Sequence, residues 1–292
     1  MERAISISLN DENLWSKLKA GSVSQTPKLF KATLPSGGPI FILSMNKDIK
    51  MIPFVRTKTE LFETTAKNES QKNKFKVVIN GPTYGLTLAG KMDALSGSDP
   101  VSADNTIQEG QIIRNKKVIG GTKSNMFYIA NYLNTPNKYQ FGQGVAPQDA
   151  DAALGNMGPL IINGLPYGRF NKYNPKQPDA KISGEPSGKY ASYLEQRSNA
   201  RFNAVASQPN SVGKIMIGFK ENLGQLLIIA QPDNTLGIDI SGLKGIALHL
   251  GLSSAVYLDG SDSVLLMINN KIIISQGSNK NETNVTGIGF SY

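Results

Sequence analysis

The chain has 292 residues, 39% hydrophobic and 18% charged, which excludes a disordered polymer and allows one large domain or two small ones. It holds no cysteine and one histidine, which excludes disulfides, thiol nucleophiles, cysteine–zinc sites and a Ser-His-Asp triad. The net charge of +9 favours an anionic partner such as a phosphate-bearing glycan, nucleic acid or an acidic protein, and no basic run or motif singles out nucleic acid.

The first ten residues, Met1 to Asn10, alternate like a strand and lack the apolar core of a signal peptide. No segment reaches the ~18 apolar residues of a membrane span, so a complete chain is expected to be cytoplasmic or virion-associated. Asp11 to Leu18 reads as a short capped helix, and residues 1–27 as an N-terminal extension to a domain over 28–292. Pro27–Leu34 and Pro39–Met45 read as a hairpin around Ser36-Gly37-Gly38. Thr59 is placed to cap a helix through Glu60, Leu61, Phe62, Thr65 and Ala66, with Leu61, Phe62 and Thr65 on one face, followed by a polar linker from Lys67 to Lys74. Phe75 to Ile79 is a buried strand that ends in Asn80-Gly81-Pro82-Thr83-Tyr84-Gly85, a polar turn.

Gly85 to Asp104 is small, polar and glycine-rich, as in a surface loop, and Gln111 to Gly120 is a hairpin with Asn115-Lys116 at its tip. Asn125 to Leu133 is β-like, residues 146–154 suit one or two helical turns, and Gly158 to Gly164 is a strand followed by a turn. Residues 163–201 read as a loop insertion with five aromatics and seven Lys/Arg against three Asp/Glu. A solvated loop accounts for that composition, and so does a surface for a sugar phosphate or a protein partner. Lys214–Lys220 and Gln225–Ala230 are strands, and Ser241 opens a helix with Leu243, Ile246, Ala247 and Leu250 on one stripe. His249 lies off that stripe. Two apolar runs, Val256–Leu258 and Val264–Ile268, flank Asp259-Gly260-Ser261-Asp262-Ser263, and the strands Lys271–Ile274 and Val285–Phe290 close the chain. Local sequence favours a tight hairpin at Asp259-Gly260; the rival reading is a sheet end carrying carboxylates. The element order predicts an α+β fold, with helices packed on a mainly antiparallel or mixed sheet.

The chemistry left after these exclusions rests on carboxylates (Asp93, Asp99, Asp104, Glu109, Asp259, Asp262), on Asn80 and on scattered cations, a set suited to glycoside cleavage. Four segments in order, Ile79–Tyr84, Gly158–Gly164, Lys214–Gly218 and Tyr257–Ser263, resemble motifs of the phosphodiester glycosidases, the N-acetylglucosamine-1-phosphodiester α-N-acetylglucosaminidase family. The chain departs from the family pattern at Lys214, where the family has arginine, at Pro82 and Thr83, and at Ser261 and Asp262 in place of two glycines. A lysine keeps the charge but not bidentate clamping of a phosphate.

The resemblance implies hydrolysis of a sugar-1-phosphodiester within a phosphorylated glycan. Asp259 would act at the anomeric centre, with Asn80 beside it in the catalytic set. Lys214 would face the phosphate, Ser263 would orient sugar hydroxyls, and Gly81, Gly260 and Tyr84 would complete the substrate contacts. No cofactor is required, while Asp259 and Asp262 offer oxygen ligands to Mg²⁺ or Ca²⁺. The alternative is a catalytically degenerate scaffold with protein partners in a larger assembly such as a phage virion.

Overall fold

The structure, a computed structural model, describes residues 5–8, 12–19, 26–58, 60–87, 92, 106–124, 126–135, 138–166, 212–238, 240–277 and 283–292. The chain divides into two units, Met1–Lys47 with Gly158–Ser261, and Asp48–Met157 with Asp262–Tyr292.

In the first unit, β1 (Ile5–Ser8) pairs in parallel with β2 (Lys28–Thr33), and β2 pairs antiparallel with β3 (Pro39–Asn46). The order continues antiparallel through β15 (Gln225–Gln231), β14 (Lys214–Lys220) and β16 (Ser254–Tyr257) to the C-terminal half of β12 (Ala152–Ile162), which turns back into β13 (Leu165–Pro166). All seven residues of β14 and of β15 are buried, so these strands read in sequence as unbroken apolar runs rather than as alternation. Helix α1 (Glu12–Lys19) buries Leu14, Trp15 and Leu18, and the Trp15 ring meets His249 edge-on at 4.9 Å. In the third described helix, α3 (Ile240–His249), and at Leu250 just beyond it, the stripe Leu243, Ile246, Ala247 and Leu250 is at most 1% exposed, and Gly251 stops the helix at φ 71°.

The second unit has three sheets. One is β4 (Lys50–Val55), β19 (Thr286–Ser291), β5 (Val77–Asn80), β17 (Leu266–Ile268) and β18 (Lys271–Ile274), antiparallel throughout. Another joins β11 (Tyr139–Gln143), β10 (Phe127–Asn131), the N-terminal half of β12, β8 (Ile112–Arg114) and β9 (Lys117–Gly120). The third is the pair β6 (Tyr84–Leu86) and β7 (Thr106–Gln108). Helix α2 (Phe62–Asn73) packs Phe62 and Ala66 with Phe54, Phe75, Val78, Leu265 and Met267, and Phe54 stacks on Phe62 and Phe75 at 5.9 and 6.3 Å.

This architecture overturns the α+β expectation. The described residues form 19 strands and three α-helices, and all but one strand pairing is antiparallel, so the fold is β-rich rather than helices packed on a sheet. Strand content is easy to undercount from sequence because segments as short as Thr106–Gln108, or as rich in glutamine and glycine as Tyr139–Gln143, carry little strand signal of their own. The predicted helical turns at 146–154 are instead a turn followed by β12, which begins at Ala152. The polar linker Lys67–Lys74 is mostly helix, because α2 needs only Phe62, Thr65, Ala66 and Ser70 on its buried face and can leave the rest in water. The tight hairpin at Asp259-Gly260 is absent: β16 pairs with β14 and β12, whereas β17 pairs with β5 and β18. The Thr59 cap, nearly all of the glycine-rich loop beyond residue 87, and the 163–201 insertion past Pro166 lie outside the described residues. Among the described residues no helix is long and apolar enough to cross a membrane.

Candidate functional site

In the first unit the site is built where β14 and β16 run out of regular pairing. Their rungs descend from Phe219–Ser254 to Met216–Tyr257. One step further the Leu258 N–H donates to the Ile215 carbonyl at 3.0 Å, and the next bond runs from the Ser261 N–H to the Gly213 carbonyl at 2.7 Å. Between those bonds Asp259 and Gly260 together oppose Lys214. Two residues against one is a bulge, a device that bends a strand and re-aims its side chains. Ser261 completes the bend at φ 57°, a conformation uncommon outside glycine and asparagine.

Asp259 is half-buried and Gly260 buried. Lys214, at 1% exposure, donates from Nζ to the Val212 carbonyl at 2.7 Å. The same carbonyl accepts the Gln231 Nε2 at 3.1 Å, and Gln231, the rung partner of Lys214, accepts the Ile238 N–H at 3.0 Å. Asp233 Oδ1 holds the Gly213 N–H at 2.7 Å. The buried Lys214 Nζ is therefore held by the Val212 carbonyl, and the Lys214 backbone lies opposite the bulge that carries Asp259. Gly213, Gln231 and Asp233 were missed in the sequence; their signal was a glycine before a strand and Asp-Asn after its partner.

In the second unit Asn80 ends β5 with no exposed surface. Its Oδ1 accepts the Leu265 N–H at 3.0 Å and its Nδ2 donates to the Gly81 carbonyl at 3.1 Å. The Gly81 N–H donates to the Thr286 carbonyl at 2.7 Å, and an added Cβ at Gly81 would stand 2.7 Å from that oxygen. This close approach is why the position suits glycine. Ser263 is 1% exposed, and its carbonyl accepts the Asn284 Nδ2 at 3.1 Å. The Tyr84 hydroxyl lies 3.3 Å from the Thr283 hydroxyl. Asn156, at φ 70° inside β12, donates from Nδ2 to the Thr83 carbonyl at 2.9 Å and so braces the turn after Asn80.

The expected residues thus fall into two sets. Lys214, Asp259 and Gly260 belong to the first unit and oppose one another across the bulge. Asn80, Gly81 and Ser263, with Tyr84 on the adjoining Thr283–Asn284 segment, belong to the second. Asp259 and Ser263 share one connection, along which the chain leaves the first unit after Ser261. Among the described residues no three His, Asp or Glu side chains gather into a cation site.

No protein-family model matches the sequence, and no curated protein matches it. Solved structures nevertheless share the fold at 9 to 14% identity, a level that speaks for fold alone. One is the catalytic domain of zebrafish N-acetylglucosamine-1-phosphodiester alpha-N-acetylglucosaminidase, auto-inhibited by pro-peptide, with a TM-score of 0.56, 14% identity and coverage of 93% of this chain and 85% of that one. A Synechocystis protein aligns over 91% of this chain with a TM-score of 0.53 and 11% identity, and the chain spans only 64% of its length. A Burkholderia pseudomallei protein described as exported aligns over 88% of this chain and 75% of its own, with a TM-score of 0.50 and 9% identity.

Proposed function

We propose that this protein is a hydrolase of the phosphodiester glycosidase type, which cleaves a sugar-1-phosphodiester of a phosphate-bearing glycan into a free sugar and a phosphomonoester. The observation that carries the reading is the bulge that sets Asp259 and Gly260 opposite Lys214 at one sheet end, with the Lys214 side chain buried and held by the Val212 carbonyl. The distant fold likeness to a phosphodiester glycosidase domain supports it.

In this reading the Asp259 carboxylate meets the positive charge that develops at the anomeric carbon as the bond to phosphate breaks. The leaving phosphomonoester needs no strong general acid, unlike an alkoxide, which suits a site without histidine. Lys214 supplies a positive charge beside the departing phosphate. Gly260 keeps the backbone open to the sugar. The Asn80 amide anchors Leu265 and with it the segment after Ser263.

The test is turnover by the wild-type chain on a panel of sugar-1-phosphodiesters, including esters of N-acetylglucosamine-1-phosphate, with and without Mg²⁺ or Ca²⁺. Phosphorus NMR should show a phosphomonoester appearing together with reducing sugar. Silence across the panel would overturn the hydrolase reading.

A further inference from the structure

Strand β15 ends at Gln231, and the turn after it carries a carboxylate that the turn itself does not need. Asn234 takes the left-handed conformation at φ 54°, and the Thr235 hydroxyl donates to the Pro232 carbonyl at 2.8 Å. Those two features close a turn without help from an aspartate. The half-buried Asp233 instead reaches back 20 residues, where its Oδ1 accepts the Gly213 N–H at 2.7 Å. Its Oδ2 accepts the Asn234 Nδ2 at 3.1 Å, which holds the plane of the carboxylate.

The Gly213 N–H belongs to the Val212–Gly213 peptide. The carbonyl of that same peptide accepts Lys214 Nζ at 2.7 Å and Gln231 Nε2 at 3.1 Å. One peptide unit therefore has a carboxylate at its N–H end and an ammonium at its C=O end. A peptide dipole is positive at the N–H and negative at the oxygen, so each charge sits at its favoured end. Hydrogen bonds in series polarise one another, and bonds to charged groups are the strong ones. Gly213 also passes the restraint to the bulge, because its own carbonyl accepts the Ser261 N–H at 2.7 Å. The Asp233 Cβ and the Ser261 carbonyl oxygen both lie within contact of the Cβ position that the glycine leaves empty. Two routes thus lead from Asp233 to the site, one through the peptide to Lys214 and one through Gly213 to the bend after Asp259.

We infer that Asp233 is a positioning residue that fixes the Lys214 side chain and the Asp259 bulge together, an assignment that rests on the hydrolase reading for the reaction it serves. Asp233 works as a hydrogen-bond acceptor for the backbone, and it neither takes a proton from the substrate nor gives one.

The experiment uses the full chain and two variants, Asp233→Ala, which removes the acceptor, and Asp233→Asn, which keeps an oxygen for the Gly213 N–H and drops the charge. Amide hydrogen exchange at Gly213 and Ser261 is read by NMR, and kcat and KM are measured on a sugar-1-phosphodiester that wild type cleaves. Asp233→Ala should exchange at both amides about tenfold faster than wild type, the equivalent of one hydrogen bond, with Ile228 in β15 unchanged. Its kcat should fall about tenfold at a KM within about twofold of wild type, because the groups it holds act on charge that develops as the bond breaks. Asp233→Asn should lie between the two, about threefold from wild type in exchange and in kcat, since a neutral acceptor is weaker than a charged one. Wild-type exchange at Ser261 in Asp233→Ala would overturn the inference. So would a large loss of kcat in Asp233→Asn with exchange unmoved, which would make the charge itself the acting group. Should Asp233→Ala fail to fold, Asp233→Asn decides alone: coupled changes in exchange and kcat support the assignment, and wild-type exchange at both amides rejects it. Faster exchange in the variants of a chain whose wild type cleaves no phosphodiester keeps the restraint on the bulge and rejects the hydrolase; turnover with exchange unmoved does the reverse.

Discussion

Gly213 has no side chain, and a Cβ added there would stand 2.3 Å from the Ser261 carbonyl oxygen and 3.1 Å from the Asp233 Cβ. The first of these is backbone, so Gly213→Ala must push the Ser261 bend away from β14 and loosen the bulge that presents Asp259. Overpacking of this kind costs about 1–3 kcal/mol. A urea titration of Gly213→Ala should show that loss together with a fall in sugar-phosphodiester turnover, and wild-type values for both would show that the bulge tolerates the shift. The residues at this site were half legible. Lys214 and Asp259 each stand at the end of an apolar run, which the sequence marks plainly. Their opposition depends on a positive φ at Ser261 and a glycine 48 positions earlier, which no local pattern connects. Asn80 was legible as a strand-end amide, but its bond to the Leu265 N–H, 185 residues away in sequence, made it an anchor rather than an open donor.

Strand β11 shows how an element becomes fixed through a single polar atom. The buried Tyr139 hydroxyl donates to the Ile49 carbonyl at 2.5 Å and so ties β11 to the turn before β4. Burial, followed by the neighbouring Tyr292, raises its pKa well above the ordinary value of 10, and burial also raises that of Tyr128 on β10. The folded state then keeps a proton that the unfolded chain gives up above pH 10, so stability is intact below that pH and falls as pH rises beyond it. Thermal melts should show a midpoint independent of pH from 7 to 9 and falling above 10. Tyr139→Phe should make the alkaline fall shallower and cost about 1 kcal/mol at neutral pH, where the Ile49 carbonyl loses its donor. A decline of equal steepness in the variant would place the alkaline sensitivity elsewhere. Strands of continuous burial, such as β14 and β15, were readable from their apolar runs. Strands β7 and β11 were not, because β7 turns its polar residues inward and β11 offers only Tyr139 and Phe141 as buried side chains over five positions.

At the scale of the molecule, each unit is assembled from two separated stretches of chain, and the crossings fall after Lys47, inside β12 and after Ser261. No linker marks such a division, since a composition shift would have to appear in the middle of a strand, and residues 152–162 are buried throughout. The last crossing falls within the Asp259–Ser263 turn, so the segment richest in carboxylates and hydroxyls is also the one that carries the chain between units. Sequence order alone exposed that segment, and the strand pairings showed that it is a connection rather than a hairpin. The most direct test of the hydrolase reading is the rate of sugar release from a cleaved sugar-1-phosphodiester by Asp259→Asn against wild type. The swap is nearly isosteric and removes the charge that faces the anomeric centre, so kcat should fall by about a thousandfold, on the scale of losing a group that stabilises transition-state charge, while Tm stays within about 2 °C. A variant that releases sugar at the wild-type rate would contradict the assignment of Asp259 and, with it, the proposed hydrolase site.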